Sequence, residues 1–378
     1  MTGAITVVSW QRGLNMSISK FVITGGPCAG KTTALSWIQT ILTQMGYTVL
    51  FVPETATELI KGGVAPWTCN TNLDYQKCQM KMQLEKEAIF ELAARHMPDE
   101  KILIICDRGA LDNKAYMNEE EFAECLNFVG SNEVELRDNY DAIFHLVTAA
   151  KGATEFYTTA NNESRTETVE QAIALDDKTI AAWTGHPHFR IIDNTTDFKV
   201  KMRRLISEMT AFLGEPHPMG AERRFLVEYP DVEKLNQNPN CQRVEIIQTY
   251  LKSHGNDEQI RLRQRGLDGH YIYTQTTRRQ VGGDQCITLE RRLSQNEYLM
   301  LLMDADTTLH PIRKTRYFMT YDNQSFEIDL YPFWQDRALV EVRLGNDDTD
   351  VRMPREIKVI KEVTGDEAFD NVTLAKVM

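Results

Sequence analysis

The chain has 378 residues, 42% of them apolar and 25% charged, with a formal net charge of −12. That length accommodates two globular domains, and the acidic balance argues against a broad nucleic-acid-binding surface. Seven cysteines, an odd number with no CxxC pair, fit reduced thiols better than a disulfide framework, so the expected location is cytoplasmic. No run approaches a membrane span, and residues 1–18 are read as an N-terminal extension.

Phe21-Val22-Ile23 is a strand-like run that enters a loop, Gly25-Gly26-Pro27-Cys28-Ala29-Gly30-Lys31-Thr32-Thr33, which opens onto an apolar helical pattern at Leu35, Ile38, Ile41 and Leu42. Gly-x4-Gly-Lys-Thr between strand and helix is the phosphate-binding loop pattern. Its glycines let backbone N–H groups surround a phosphate, Lys31 reaches the β- and γ-phosphates, and Thr32 is a Mg²⁺ ligand. Thr48–Val52 reads as the next buried strand, and Glu54 stands just past its exit, where open α/β sheets place ligands. Glu54 is a candidate general base or orienting carboxylate, the alternative being a helix N-terminal carboxylate with a structural role.

Residues 72–96 read as a long charged helix whose polar residues, Gln76, Gln83 and Glu87 among them, are expected mostly at the surface. Lys101–Cys106 is an apolar run ending in Asp107, the position from which a carboxylate meets Mg²⁺, and Arg108 follows as a candidate phosphate contact. Asp141–Val147 and His188–Asn194 supply further strands. Between them lies a polar stretch, about 149–177, expected to act as a lid, with Arg165 as its arginine. The exit at Asp193-Asn194 is a candidate base pocket. Together these elements predict a doubly wound parallel α/β domain over 19–213, followed by a linker at 214–220.

Beyond the linker the period changes to two. Eight short runs predict an antiparallel β-barrel over 221–378: 223–227, 243–251, 260–265, 271–277, 286–293, 315–321, 325–331 and 338–344. Five of the strands carry charge on alternate positions: Glu222 and Arg224; Arg261, Arg263 and Arg265; Lys314 and Arg316; Glu327 and Asp329; Glu341 and Arg343. A single such strand is most simply a wet outer face, whereas repetition across five predicts a polar lumen. From residue 218 onward there are 16 arginines and 6 lysines. Arginine suits bidentate phosphate contacts, so the lumen is read as a polyphosphate or phospholipid-headgroup site, rich in arginine and poor in carboxylates.

The first half, through Gly25 to Thr33, Pro53-Glu54 and Cys106-Asp107-Arg108-Gly109, resembles the P-loop kinases related to nicotinamide riboside and deoxynucleoside kinases. The second half is similar to the CYTH, or triphosphate tunnel, fold through Glu222–Val227, Ile247–Leu251, Arg313–Tyr317, Phe326–Asp329 and Lys361–Thr364. The pairing resembles the TRPL translocation defect protein 14 family, which implies nucleotide binding with GTP favoured, a phospholipid-binding tunnel and a role in membrane-protein trafficking; the expected ligands are GTP or ATP with Mg²⁺ and an anionic phospholipid headgroup, with peripheral membrane contact. The pattern departs from tunnel triphosphatases, which open with Glu-x-Glu-x-Lys. That register holds Gly220, Glu222 and Arg224 here, and the late Glu-x-Glu position holds Glu341 and Arg343. Fewer carboxylates weaken metal coordination, which favours a binding tunnel over a triphosphatase. A small-molecule kinase, with Glu54 as base and Arg165 closing over the transferred group, is the alternative enzyme reading. No Asn-Lys-x-Asp guanine reader decides between GTP and ATP.

Overall fold

A computed structural model describes residues 17–154, 168–215, 217–218, 222–253, 258–282, 285–344 and 350–377. Arg165 and Gly220 lie outside the described residues. Two compact units divide the chain, the first ending at Thr179 and the second beginning at Ile180.

The first strands are β1 (Ser17–Gly25), β2 (Thr48–Val52), β3 (Lys101–Asp107), β4 (Ala142–Leu146) and β5 (Phe189–Ile192), in a sheet of order β2-β3-β1-β4-β5. β1 pairs in parallel with β3 and β4, and β3 with β2. Phe21, Val22 and Ile23, like Ile102–Cys106, are fully buried, as continuous apolar runs must be in a sheet covered on both faces. The helices are α1 (Lys31–Gln44), α2 (Thr55–Lys61), α3 (Asn72–Arg95), α4 (Glu119–Val129), α5 (Glu133–Arg137), α6 (Val169–Trp183) and α7 (Phe198–Phe212). The parallel order brings the exits of β1, β2, β3 and β4 to one edge, and Ile23 lies beside Asp107 in the β1–β3 register.

The expected surface position of the α3 polar residues is corrected here. Gln76, Gln83 and Glu87 are all below 5% exposed. Glu87 Oε1 accepts from Gln83 Nε2 at 2.7 Å and from the Tyr140 hydroxyl at 2.8 Å, while Oε2 accepts from buried Lys20 at 3.3 Å. Gln83 Nε2 also donates to the Arg108 carbonyl at 3.3 Å. Glu87, Gln83, Lys20 and Tyr140 thus form a hydrogen-bonded polar network beneath the helix, while Gln76 Oε1 has no partner among the described residues; charge content alone does not reveal such pairing.

The second sheet contains β6 (His217–Pro218), β7 (Glu222–Glu228), β8 (Cys241–Tyr250), β9 (Glu258–Leu267), β10 (His270–Gly282), β11 (Gln285–Leu293), β12 (Ile312–Tyr321), β13 (Gln324–Leu330), β14 (Arg337–Arg343) and β15 (Val359–Glu362). Its order is β15-β7-β14-β13-β12-β8-β9-β10-β11-β6, with antiparallel pairing throughout. All eight runs expected from period-two patterning are strands. One face is apolar, with Phe225, Val227, Tyr317, Met319, Phe326, Ile328, Val340 and Val342 packed on Leu235 of α8 (Val232–Gln237) and on Ile357.

Register places the charged side chains together on the other face: Arg224 opposite Glu341, Glu341 opposite Glu327, and Arg316 opposite Asp329. Further along that face, Gln248 lies opposite Arg263, and Thr276 opposite Arg261 and Glu290. Arg261 on β9 also acts on the titration of Glu222 on β7, although four strands separate them in the sheet order. The two ends of the polar face therefore lie within electrostatic reach of each other, and the sheet curves around that face, which forms a polar lumen. α9 (Gln295–Leu301) follows β11, and α10 (Asn371–Val377) brings Leu374 and Ala375 into one apolar cluster with Leu226, Tyr250, Ile312, Tyr331 and Leu339. No described helix is long and apolar enough to cross a membrane.

Candidate functional site

The nucleotide cradle begins with a backbone constraint. Gly25 has φ 150°, and a Cβ there would lie 2.1 Å from the Leu146 carbonyl oxygen, so no larger residue fits. Gly30, at φ 90°, is the N-cap of α1, which has neither a side-chain cap nor an acidic residue in its first turn. Its first N–H groups and positive dipole end are therefore available to an anion. Lys31 is buried with its Nζ 3.5 Å from the Gly25 carbonyl, while Thr32 is exposed at the mouth.

Asp107 ends β3 beside this loop. Its Oδ1 is buried and has no hydrogen-bond partner among the described residues. Burial raises its pKa, with Glu54 and Asp112 adding to the effect and Lys31 and Arg108 opposing it. A carboxylate in that state gains from a cation, so Asp107 and Thr32 fit as the protein ligands of a Mg²⁺ ion carried in with polyphosphate.

Arg108 follows in a left-handed conformation, φ 70°, a strained state for a side chain of this size. That backbone turn aims its guanidinium sideways: Nε donates to Glu54 Oε1 at 2.7 Å, and Nη1 lies 3.7 Å from Asp112 Oδ1. Glu54 occupies the N-cap position of α2 but caps no N–H of that helix. Its Oε2 accepts from the Thr57 hydroxyl at 2.6 Å. Burial pushes the Glu54 carboxyl up, but Arg108 and Lys31 outweigh it and bring the pKa to about 2. At neutral pH Glu54 is therefore ionised, with little basicity. Asp112 is structural, accepting from the Thr24 hydroxyl and from Gly109 N–H at 2.7 Å.

The Glu54 environment predicts a pH signature. A carboxylate depressed from 4.5 to about 2 on folding contributes stability above the unfolded value, and that contribution is lost as pH falls toward the folded value. The melting-temperature gap between wild type and Glu54→Gln is therefore expected to be constant from pH 7 to about 5 and to shrink steadily between about 4.5 and 3. A gap independent of pH over that interval contradicts the assignment.

The lumen corrects one expectation and sharpens another. It is not poor in carboxylates. Asp329 accepts from Lys314 Nζ and from Arg316 Nε, each at 2.6 Å, and Arg316 also pairs with Glu327 and, at 3.3 Å, with Glu341. Arg224 pairs with Glu341 at 3.0 Å and with Asp370 at 2.6 Å, and Arg343 pairs with Glu222. The acidic runs share strand parity with the basic ones, and register sets them face to face. Burial and Arg316 push Lys314 down to about 8; burial raises Asp329, but Arg316 and Lys314 dominate and hold it near 2.

Arg265 is also committed, donating to the Gly185 carbonyl at 2.6 Å. Arg261 and Arg263 differ from these. Arg263 Nε is oriented by Gln248 Oε1 at 2.9 Å, and Arg261 Nε is buried with no partner among the described residues. Burial and the neighbouring Arg263 lower the Arg261 pKa to about 10, the mark of cations crowded together. Glu290, which the sequence reading passed over, lies on the same face. It accepts from the Thr276 hydroxyl at 2.8 Å and pairs with His188 at 3.0 Å. Strand parity with Thr288 and Arg292 is the signal that would have found Glu290; nothing local announces His188. At the Asp193-Asn194 exit, Asp193 is occupied by Thr195 and Arg204, and Asn194 by Lys201.

The family model described as an AAA domain matches residues 20–201. With the Gly25–Thr33 loop at the exit of a parallel strand, the match decides the first domain. The first part of the chain carries a P-loop nucleotide-binding region. No curated protein matches the chain. Among solved structures, the inorganic triphosphatase NE1496 is similar at 27% identity over 42% of this chain and 94% of its own, with a TM-score of 0.29. Deoxyadenosine kinase from M. mycoides with bound dATP is similar at 16% identity over 51% and 99%, TM-score 0.36. The PH1819 protein from Pyrococcus horikoshii OT3 is similar at 18% identity over 34% and 80%, TM-score 0.27. At these TM-scores the likenesses carry no argument about the chain.

Proposed function

We propose that the chain is a regulatory nucleotide-binding protein. Its P-loop domain binds GTP or ATP with Mg²⁺, and its antiparallel domain binds a phosphorylated ligand, an anionic phospholipid headgroup being the preferred one. The reading is carried by the coexistence of a cradle holding Lys31, Thr32 and an Asp107 oxygen with no partner among the described residues, and a lumen holding Arg261 and Arg263. Two arginines beside a neutral amide offer several N–H donors to phosphate oxygens. Of the remaining lumen cations, Arg224, Lys314, Arg316 and Arg343 are paired with carboxylates and Arg265 is held by the Gly185 carbonyl, so the phosphate contacts are assigned to Arg261 and Arg263. Paired carboxylates such as Asp329 and Glu341 are poor metal ligands while arginines hold them, which argues against the triphosphatase reading. The resemblance to the TRPL translocation defect protein 14 family extends the proposal to membrane-protein trafficking.

The test has two parts. A melting-temperature panel with GTP, ATP and their diphosphates identifies the nucleotide, because a ligand that binds only the native state must stabilise it. Flotation with vesicles of phosphatidylcholine containing phosphatidylinositol phosphates tests the lumen: Arg261→Ala plus Arg263→Ala is expected to weaken vesicle affinity at least about tenfold, roughly 1.4 kcal/mol. Equal flotation of the double variant and wild type removes the lipid part.

A second reading, phosphoryl transfer to a small hydroxyl acceptor, would use Glu54, held at the cradle by Arg108 Nε at 2.7 Å, to orient the acceptor hydroxyl rather than to deprotonate it. It requires that an acceptor accelerate nucleotide consumption; turnover unchanged across nucleosides eliminates it.

A further inference from the structure

The phosphate loop is held from behind by a residue that no sequence motif marks. Asp176 lies on α6, completely buried, 150 residues away from Gly26 in the chain. Its Oδ1 accepts from the Gly26 N–H at 3.0 Å and the Thr148 N–H at 3.1 Å, and lies 3.0 Å from His145 Nε2. Its Oδ2 accepts from Lys151 Nζ at 2.9 Å. A Cβ on Gly26 would meet Asp176 Oδ1 at 2.7 Å, so the glycine permits this close approach. The Thr148 hydroxyl adds a bond to the Pro27 carbonyl. Burial alone would raise the Asp176 carboxyl, yet His145 and Lys151 hold it well below the usual carboxylate range.

We propose that Asp176 is a positioning residue for the phosphate loop. By collecting loop and strand-exit amides on one buried carboxylate, it orders the Gly25–Gly30 backbone before nucleotide arrives. Loop ordering that is already complete in the empty protein is not charged against binding, so it raises affinity without any contact to the nucleotide. The inference rests on the nucleotide-binding reading and specifies how that site acquires its shape. It also assigns Lys151 a role: the lysine neutralises the buried anchor from the β4 exit, bridging Asp176 to exposed Asp177 at 2.5 Å.

The experiment combines amide hydrogen exchange of residues 21–33 in the nucleotide-free full chain with Mg²⁺–nucleotide titration, using fluorescent GTP and ATP analogues. Variants are Asp176→Asn, which keeps the size and an acceptor oxygen, Asp176→Ala, and Asp177→Asn as a control that touches Lys151 but not the loop. Asp176→Asn is expected to speed loop exchange about tenfold and weaken affinity about tenfold, Asp176→Ala to do more, and Asp177→Asn to match wild type. Saturating nucleotide should restore protection in Asp176→Asn. A carboxylate that merely stabilised the fold would lower the melting temperature and leave the affinity of the folded fraction unchanged; that result, or wild-type loop exchange in folded Asp176→Asn, overturns the proposal. Failure of wild type to bind either nucleotide overturns the functional reading and with it the proposed affinity effect, and unaltered loop exchange in Asp176→Asn then shows separately that the anchor itself is wrong.

Discussion

Lys31→Ala is expected to remove most of the nucleotide-dependent rise in melting temperature and to weaken nucleotide binding at least about 100-fold, roughly 2.7 kcal/mol. The expectation follows from the position of its ammonium, buried against the Gly25 carbonyl at the uncapped start of α1, where it is the side-chain cation of the cradle motif. Wild type held at 100 times the dissociation constant gains about 2.7 kcal/mol. For a domain of this size that is a shift of about 2–4 °C per kcal/mol. The variant should keep at most about 0.4 kcal/mol of it at the same concentration, while its melting temperature without ligand changes little. A full nucleotide-dependent shift surviving in Lys31→Ala places the nucleotide elsewhere in the chain.

The second large effect is on stability. Asp329 is 1% exposed and accepts from both Lys314 and Arg316. Asp329→Ala leaves two buried cations sharing one missing counter-charge, and breaking a buried pair in this way costs about 3–5 kcal/mol. Lys314 relieves part of the strain by releasing its proton, because burial and Arg316 already push its pKa down to about 8. The loss is thus expected to be smaller at pH 9 than at pH 7. Chemical denaturation of the variant at both pH values measures it, and a loss below about 1 kcal/mol would mean that the lumen pairs are solvated. Arg261→Ala is expected to leave stability unchanged or improved, since it removes a crowded cation without stranding a carboxylate.

The two predictions mark the boundary between local and non-local information. The cradle was legible because its chemistry lies within nine consecutive residues, Gly25 to Thr33, and because glycine spacing encodes backbone geometry directly. Asp107 was legible for a similar reason: an apolar run in a parallel sheet ends at the ligand edge, so its exit residue faces the site. The eight period-two runs likewise announced an antiparallel second sheet, because alternation is imposed by the pleat.

What the tertiary structure decided is which charges meet. Arg316 and Asp329 are separated by a hairpin, Arg224 and Glu341 by more than a hundred residues, and only strand register makes them opposite. The reading of an arginine-rich, carboxylate-poor lumen failed there. Counting arginines measures charge content, whereas free binding capacity depends on pairing, and pairing leaves Arg261 and Arg263 as the lumen's available arm. The same limit hid Asp176, which acts on Gly26 from 150 residues away, and buried Glu87, which a charged helix pattern placed in solvent. The sequence by itself determined a phosphate loop, a carboxylate at the β3 exit and two sheets of opposite type, since each follows from neighbours along the chain. Only the folded chain decided which cations remain free and which carboxylate shapes the loop, since electrostatic partners are set by distance in space.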